Sequence, residues 1–530
     1  MKNRYTRITQ INAPLVNRKL FFSAVLVIIL YLIYSTPFLS DYLINDEWVN
    51  IGMRALDVSG RAKDSFLTSG RGLFGMLEPI VYEFVGYSLV RIQLVRFIYF
   101  SLIACLAMNL FLFISNRSKN YLHNFLVVLL LFVQLPFQGQ MGYSLQLISN
   151  GLPSLLLGVL AFHVHFFNRN NENIYIFTRS IIVLLLLILA IQFSPVYAYF
   201  SLIFLVYLIL TEWKQRQKSI LLYLFIIICS FLFSIIIYKL SLDYIHTIGR
   251  QGYFIGEHAL SSLFNRPAEL LSQAINPLSY WSAFKFWSFP FPINNTPNIG
   301  SLRRVAGSCA LAVWVLFVYV SLRTEVFIRV NKNVALSKWL AVLICIAVSL
   351  LPILADYSDS INDHRPHITL VLIGIVIVIS FDCINVLRLR YGALFSRYIN
   401  YGLILFVVAS CFGAQSNVYR GIVNGSASQL DFIRTELVNS RPIKRVVVIL
   451  PDWYGCLVEP CDPWFGRVSS YTLAQHGGYR YALASLGENP NVEIVFIEKN
   501  KFKSIENWSM IDWNKYVLVR KLNFNFLQKN

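Results

Sequence analysis

Charged residues are scarce in this chain. They make up 14% of its 530 residues, against about 25% in a soluble domain, which excludes an ordinary soluble fold. Acids are the scarcer sign: 27 Asp and Glu against 46 Lys and Arg, a formal net charge of +19. In a soluble protein that excess would point to nucleic acid. Here much of it falls in short loops between apolar runs, where membrane topology accounts for it, and no nucleic-acid partner is expected. Phosphate-loop and dinucleotide-binding motifs are absent, which argues against ATP as the direct energy source. There is no internal repeat and no low-complexity stretch. No small-residue cleavage site follows the first apolar run, Leu20 to about Phe38, so a cleaved signal peptide is not expected. Six of the eight cysteines (Cys105, Cys229, Cys309, Cys345, Cys383 and Cys411) lie in or beside apolar runs, where they serve as apolar filler. Cys456 and Cys461 stand apart. They are candidates for a local disulfide in an oxidising compartment, and without further Cys or His they do not make a zinc site.

What the chain does hold is apolar: 56% hydrophobic and 15% aromatic residues. Stretches long enough to span a bilayer number about eleven, near 20–40, 92–115, 121–138, 150–168, 180–195, 196–212, 219–241, 305–322, 338–355, 368–387 and 401–416. Basic residues alternate between them. The N-terminus, Arg117 and Lys119, Arg169 and Arg179, Lys214 to Lys218, Arg323 to Lys338, and Arg388 to Arg397 all fall on one side, which the positive-inside rule makes cytoplasmic. Two spans meeting at Pro195 are needed to keep that alternation. The expectation is a polytopic all-α membrane domain over 1–416, with the N-terminus cytoplasmic and residues 417–530 outside.

Inside loops are short; outside segments are long and rich in Trp, Tyr, Pro, His and charge. They are the first outside loop (41–91), a long loop (242–304) and a loop over 356–367. The long loop holds Arg250 and an aromatic stretch, Tyr280 to Trp287, suited to the headgroup level. Residues 417–530 read as a small α/β domain. Its expected strands are Lys444–Leu450, Val492–Glu498 and Tyr516–Leu522, with a helix over Tyr471–Leu486.

The first outside loop is the densest in chemistry. It opens Asn45-Asp46-Glu47-Trp48 and continues to Ser69-Gly70-Arg71-Gly72-Leu73. Acids at a membrane rim are costly unless hydrated, paired or used. On a helix the two carboxylates point roughly 100° apart, so they do not serve as one dyad. Asp46 is the candidate base. Glu47 is the support, paired with a cation, and Arg54, seven residues on, is a candidate for it. Arg71 lies between two glycines, where a guanidinium can grip phosphate. Arg91 and Arg96 flank the outer end of the second span.

A second cluster runs from Asp356 to His367 and includes Asp359, Asp363, His364 and Arg365. His364 and Arg365 are candidates for a lipid phosphate. A divalent metal is an alternative that the spacing does not specify. Gln134, Gln138, Gln140, Tyr143, Gln146 and Asn150 close the third span. Amides and aromatics there suit sugar hydroxyls, and equally suit helix–helix hydrogen bonds.

These motifs together resemble the GT-C superfamily of membrane glycosyltransferases. The acidic motif in the first outside loop is Asn45-Asp46-Glu47. Within the superfamily the arrangement is similar to the serotype-converting O-antigen glucosyltransferases (Gtr type). The elements that carry it are Gly70-Arg71-Gly72-Leu73, where that family has Gly-Arg-Pro-Leu, Leu135-Pro136-Phe137 with Tyr143, the segment around Gln192, and Arg365 before a late span. The resemblance covers about two hundred N-terminal residues and one later loop, with Asp-Glu where Asp-Asp is commoner. It implies a GT-C-like fold and transfer of a sugar, glucosyl first of all, from an undecaprenyl-phosphate donor to a lipid-linked glycan such as the O-antigen of lipopolysaccharide. The setting would be the periplasmic face of a bacterial inner membrane. Asp46 and Glu47 would be catalytic. Arg71, Arg96, Arg250, His364 and Arg365 would hold phosphate or substrate, and Gln138 and Tyr143 the acceptor sugar. Three rivals remain. An O-antigen polymerase or ligase would work through the 242–304 loop. A lipid-linked sugar transporter or flippase would place its charges near the midplane. A non-catalytic envelope assembly protein would use its tail to bind partners.

Overall fold

In a computed structural model, the described residues are 2–42, 47, 72–118, 120–142, 144–167, 173–247, 315–324, 332–349, 370–416, 418, 419, 423, 425–439, 443, 445–450, 476–498 and 517–519. The chain is a helical, multi-pass membrane protein. Among the described residues six helices are long and apolar enough to cross a membrane, and four shorter apolar helices accompany them. Their inward faces merge into one large core, while residues such as Leu32, Phe97, Leu185, Phe225, Leu343 and Phe412 leave the outward faces apolar and exposed. A contiguous greasy exterior of this kind is what a bilayer covers.

Two of the longest helical stretches fold back on themselves. Ser201–Thr247 is broken at Glu212 (φ −124°, ψ 18°). Residues 22 apart in a straight helix lie about 33 Å from one another, yet the Tyr223 hydroxyl donates to Ser201 Oγ at 3.0 Å. The two arms are therefore antiparallel, with the turn at Glu212. Leu370–Ser416 breaks at Gly392, whose φ of +80° suits glycine. Across that turn the Arg388 guanidinium donates to Asn400 Oδ1. At the Pro195 junction, Asn173–Phe193 ends at an extended Ser194, as the residue before proline favours. Asn173–Phe193 and the Ser201–Thr247 helix then pack side by side, so the chain reverses there. Close packing relies on small residues: a Cβ on Gly158 would stand 2.4 Å from the Ala198 carbonyl oxygen.

The stretch expected as one span over 121–138 is two helices, Tyr121–Phe132 and Leu135–Gly142. Pro136 has no N–H and would collide with the carbonyl four residues back. Gln134 and Gln138 repair the break. Their Nε2 groups donate to Leu130 and Val133 carbonyls at 3.1 and 2.8 Å.

Side-chain contacts sort the helix ends into two groups. At one end Lys19 donates to Asn116 Oδ1 at 2.7 Å, and Arg117 pairs with Glu212 at 2.7 Å. Trp213 reaches Ser337 at 3.0 Å, Arg388 reaches His123 at 3.0 Å, and Arg390 reaches Thr324 at 3.1 Å. His165 joins them through the Ser219 carbonyl at 2.9 Å. These are ends that the sequence assigns to one side. Tyr42, Glu47, Arg96 and Gln140 meet at the other end, with the helices of the C-terminal segment beside them.

That segment contributes the helices Gly425–Asn439 and His476–Ser485 and a three-stranded sheet. The β-branched run of β1 (Arg445–Leu450) favours a buried strand. It lies between β2 (Glu493–Glu498) and β3 (Val517–Val519), both parallel to it, with Val447 opposite Val495 and Leu518. Its core is shared. Leu430, Ile433, Leu437, Tyr479 and Tyr481 join one apolar cluster with Tyr82, Val85, Ile92, Val95 and Leu145.

Candidate functional site

The first helix (Lys2–Leu39) ends just before Asp41 and Tyr42. The Tyr42 ring is fully buried, and its hydroxyl donates to the Gly142 carbonyl at 3.0 Å. Burial raises that hydroxyl above the ordinary tyrosine value; Arg96 pulls the other way and Glu47 adds to the rise. Arg96 lies two turns into Leu89–Ser115. Its guanidinium carbon sits 3.8 Å from the centre of the Tyr42 ring. Nη2 donates to Glu47 Oε2 and to the Tyr42 carbonyl, both at 2.9 Å, and Nη1 to the Pro37 carbonyl at 3.4 Å.

Glu47 is equally engaged. Its second oxygen, Oε1, accepts the Leu145 N–H at 3.1 Å. Leu145 lies in the first turn of the short helix Ser144–Leu147, whose first N–H groups have no intrahelical acceptor, so the carboxylate caps it. Both side chains of the Glu47–Arg96 pair are wholly shielded from solvent. Two desolvated charges repay their burial only with close geometry and further hydrogen bonds. A planar guanidinium on a ring face, with one carboxylate and two carbonyls around it, supplies both.

Buried polar groups extend deeper from this pair. One turn along from Arg96, the Tyr99 hydroxyl donates to Gln140 Oε1 at 3.3 Å. Gln140 Nε2, Ser144 Oγ and Arg96 Nε are buried, with no hydrogen-bond partner among the described residues. All three can donate to an oxygen-rich group.

Beside the pair, Asp41 reaches the far end of the chain. Asp41 accepts from Arg434 Nη2 at 2.5 Å through Oδ2 and from the Tyr481 hydroxyl at 2.8 Å through Oδ1. Arg434 Nε donates to Ser485 Oγ at 2.8 Å, and its guanidinium carbon lies 5.9 Å from the Tyr481 ring centre. Burial, with Asp41 adding to it, pushes the Tyr481 hydroxyl above its ordinary 10.0.

Of the residues singled out in the sequence, the structure brings Glu47 and Arg96 together. The partner expected for Glu47, Arg54, lies outside the described residues; among the described residues Glu47 pairs with Arg96. Arg96 itself was expected to hold phosphate; its two terminal nitrogens bond protein groups, and its Nε has no hydrogen-bond partner among the described residues. Gln138 is buried and bound to the break before its helix. Asp46, Arg71, Tyr143, Arg250, His364, Arg365, Cys456 and Cys461 lie outside the described residues. Among the described residues, no group of three or more His, Cys, Asp or Glu side chains is placed to hold a metal ion.

Three members of this neighbourhood escaped the sequence reading. Asp41, Arg434 and Tyr481 carry no local motif, and a single sequence holds no signal pairing residues 393 apart. Glu78 is a fourth omission. It is buried on the face of Gly72–Val85 that also presents Phe74 and Tyr82, and an acid inside so apolar a helix was itself a legible sign. The chain matches no protein-family model, no curated protein and no solved structure.

Proposed function

We propose that this protein is a membrane glycosyltransferase. It moves a sugar, glucosyl first of all, from a polyprenyl-phosphate donor to a lipid-linked O-antigen or related surface glycan. The observation that carries the reading is the commitment of Glu47: both carboxylate oxygens are taken, by Arg96 and by the Leu145 N–H. A carboxylate so engaged is a fixed post, which leaves its neighbour Asp46 as the base for an acceptor hydroxyl. The buried donors at Gln140, Ser144 and Arg96 support an oxygen-rich ligand, because leaving such groups unmet costs about 1–3 kcal/mol each.

In this reading Arg71 and Arg365 stabilise charge on the departing phosphate, with His364 and Arg250 as further contacts and Tyr143 on the acceptor sugar. Arg96 positions Glu47. A divalent metal at the 356–367 loop is kept as an option. The chain crosses the inner membrane about eleven times, with the N-terminus cytoplasmic and residues 417–530 forming a periplasmic α/β domain. Antiparallel arms at Glu212 and Gly392 and the chain reversal at Pro195 support that path. The grouping of Arg117, Arg388 and Arg390 at one end supports its orientation.

The test is Asp46→Asn, with the surface glycan of cells carrying wild-type or variant protein analysed by mass. The expected result is loss of a side-branch sugar at unchanged protein level in the membrane. Retained modification would remove Asp46 as the base. Shortened chains in place of a lost branch would make the protein a polymerase.

A further inference from the structure

The C-terminal segment reaches the Glu47–Arg96 pair by two routes. The first runs through Asp41. Arg434 and Tyr481 grip its two carboxylate oxygens. Asp41 is joined to Tyr42, whose ring and carbonyl hold the Arg96 guanidinium. The second runs through Leu145. Its side chain packs in the apolar cluster that contains Ile433 and Tyr481, while its N–H caps onto Glu47. Arg434 and Asp41 are each about one-fifth exposed, so solvent reaches the pair, and its hold on Asp41 rests on two donors acting together.

We infer that Asp41, Arg434 and Tyr481 form a clasp that sets the position of the Glu47–Arg96 pair. The C-terminal segment is then one wall of the site, built into it from nearly four hundred residues away. Arg434 and Tyr481 are positioning residues: they act through Asp41 and Tyr42, and their link to glycan transfer rests on the first loop being the working site. Arg434 is suited to this. Its fork takes Asp41 with Nη2 and Ser485 with Nε at once, which an ammonium could not do in the same geometry.

The Leu145 amide reports on this arrangement without any substrate, because Glu47 is its acceptor. Hydrogen exchange would be measured on full-length protein in lipid nanodiscs for Arg434→Gln, Asp41→Asn, the double variant and Tyr481→Phe. Either single charge variant is expected to speed exchange at Leu145 about tenfold or more, the weight of one charged hydrogen bond. The double variant should be no faster than the singles, since both remove one interaction. Amides in the half of Gly151–Phe167 near His165 should not change. Tyr481→Phe keeps the ring and should give a smaller increase; it decides the matter if the charge variants do not fold. Unchanged protection at Leu145 in Tyr481→Phe and in the folded charge variants would overturn the clasp. So would a response to Arg434→Gln without one to Asp41→Asn, which would place the effect in packing alone. The same variants scored for surface glycan separate the two proposals. If Leu145 responds and the glycan is intact, the clasp stands and the transferase reading of the loop falls.

Discussion

Each end of the bundle carries a glutamate–arginine pair backed by an aromatic ring, and the two are built differently. At one end Glu212 holds Arg117 and Arg216, with Arg117 3.9 Å from the centre of the Phe113 ring on the helix just before it. Those side chains are about one-fifth exposed. At the other end Glu47 and Arg96 have no exposure at all, and the ring beneath the guanidinium is Tyr42, from a different segment. The first pair clips the turn of a helical hairpin. It has water within reach and can be lost cheaply. The second exists only when four stretches of chain have converged: 37–42, Glu47, the Leu89–Ser115 helix and the start of Ser144–Leu147. Burial thus separates a fastening from a point of assembly, and the point of assembly is where chemistry can be held in fixed geometry.

The sharpest break of this contrast is Arg96→Met. It strands the Glu47 carboxylate in a dry interior, and loss of about 3–5 kcal/mol of stability is expected, seen as a collapse of the melting temperature of the purified protein. Arg96→Met combined with Glu47→Leu removes both charges and should recover much of that loss. If the double variant is as unstable as the single, the pair contributes more than mutual neutralisation, through the Leu145 cap and the carbonyls of Pro37 and Tyr42.

How much of this was legible in the sequence follows the same divide. Apolar length and basic alternation marked the six long apolar helices, the reversal at Pro195 and the turn after residue 212, because each rests on local composition; the helix Gly72–Val85, placed in the first outside loop, was not foreseen. Pro136 marked its break, although the run around it read as one span. The acid pair drew notice to the first loop, and helix geometry gave the expectation that its two carboxylates do different tasks; of the two, Glu47 is described, paired with Arg96. Arg96 was not foreseen as a partner of Glu47, since it is near only in the fold, and Arg54, the partner expected from sequence, lies outside the described residues. Asp41 passed as an unremarked rim acid. Its meaning comes from Arg434 and Tyr481, and nothing along a single chain ties those positions together.

A middle-sized test addresses the opposite end. Glu212→Gln removes the charge shared by Arg117 and Arg216, both of which keep access to solvent. A cost of about 1 kcal/mol or less is expected, shrinking further in high salt, in thermal melts of the same preparation. A loss as large as that of Arg96→Met would show that partial exposure is no guide to what these pairs contribute, and the contrast between the two ends would fail.

The smallest effect lies in the pH dependence of the clasp. Burial first, then Asp41, raises the Tyr481 hydroxyl above 10.0, with Arg434 and Arg96 opposing the rise. A group whose folded value is raised stabilises the fold fully below its unfolded value and loses that contribution as pH climbs toward the folded one. The hydroxyl's hydrogen bond to Asp41 therefore contributes about 1–2 kcal/mol near neutrality, and the contribution fades only above pH 10. Wild type should exceed Tyr481→Phe in stability by that margin from neutral pH up to about 10, and the two should converge as pH rises further. Tyr42 titrates in the same direction but is present in both proteins, so it cancels from the difference. A gap that stays constant through the alkaline range would mean that the hydroxyl's proton does not hold Asp41, and Asp41 would lose one of the two hands that grip it.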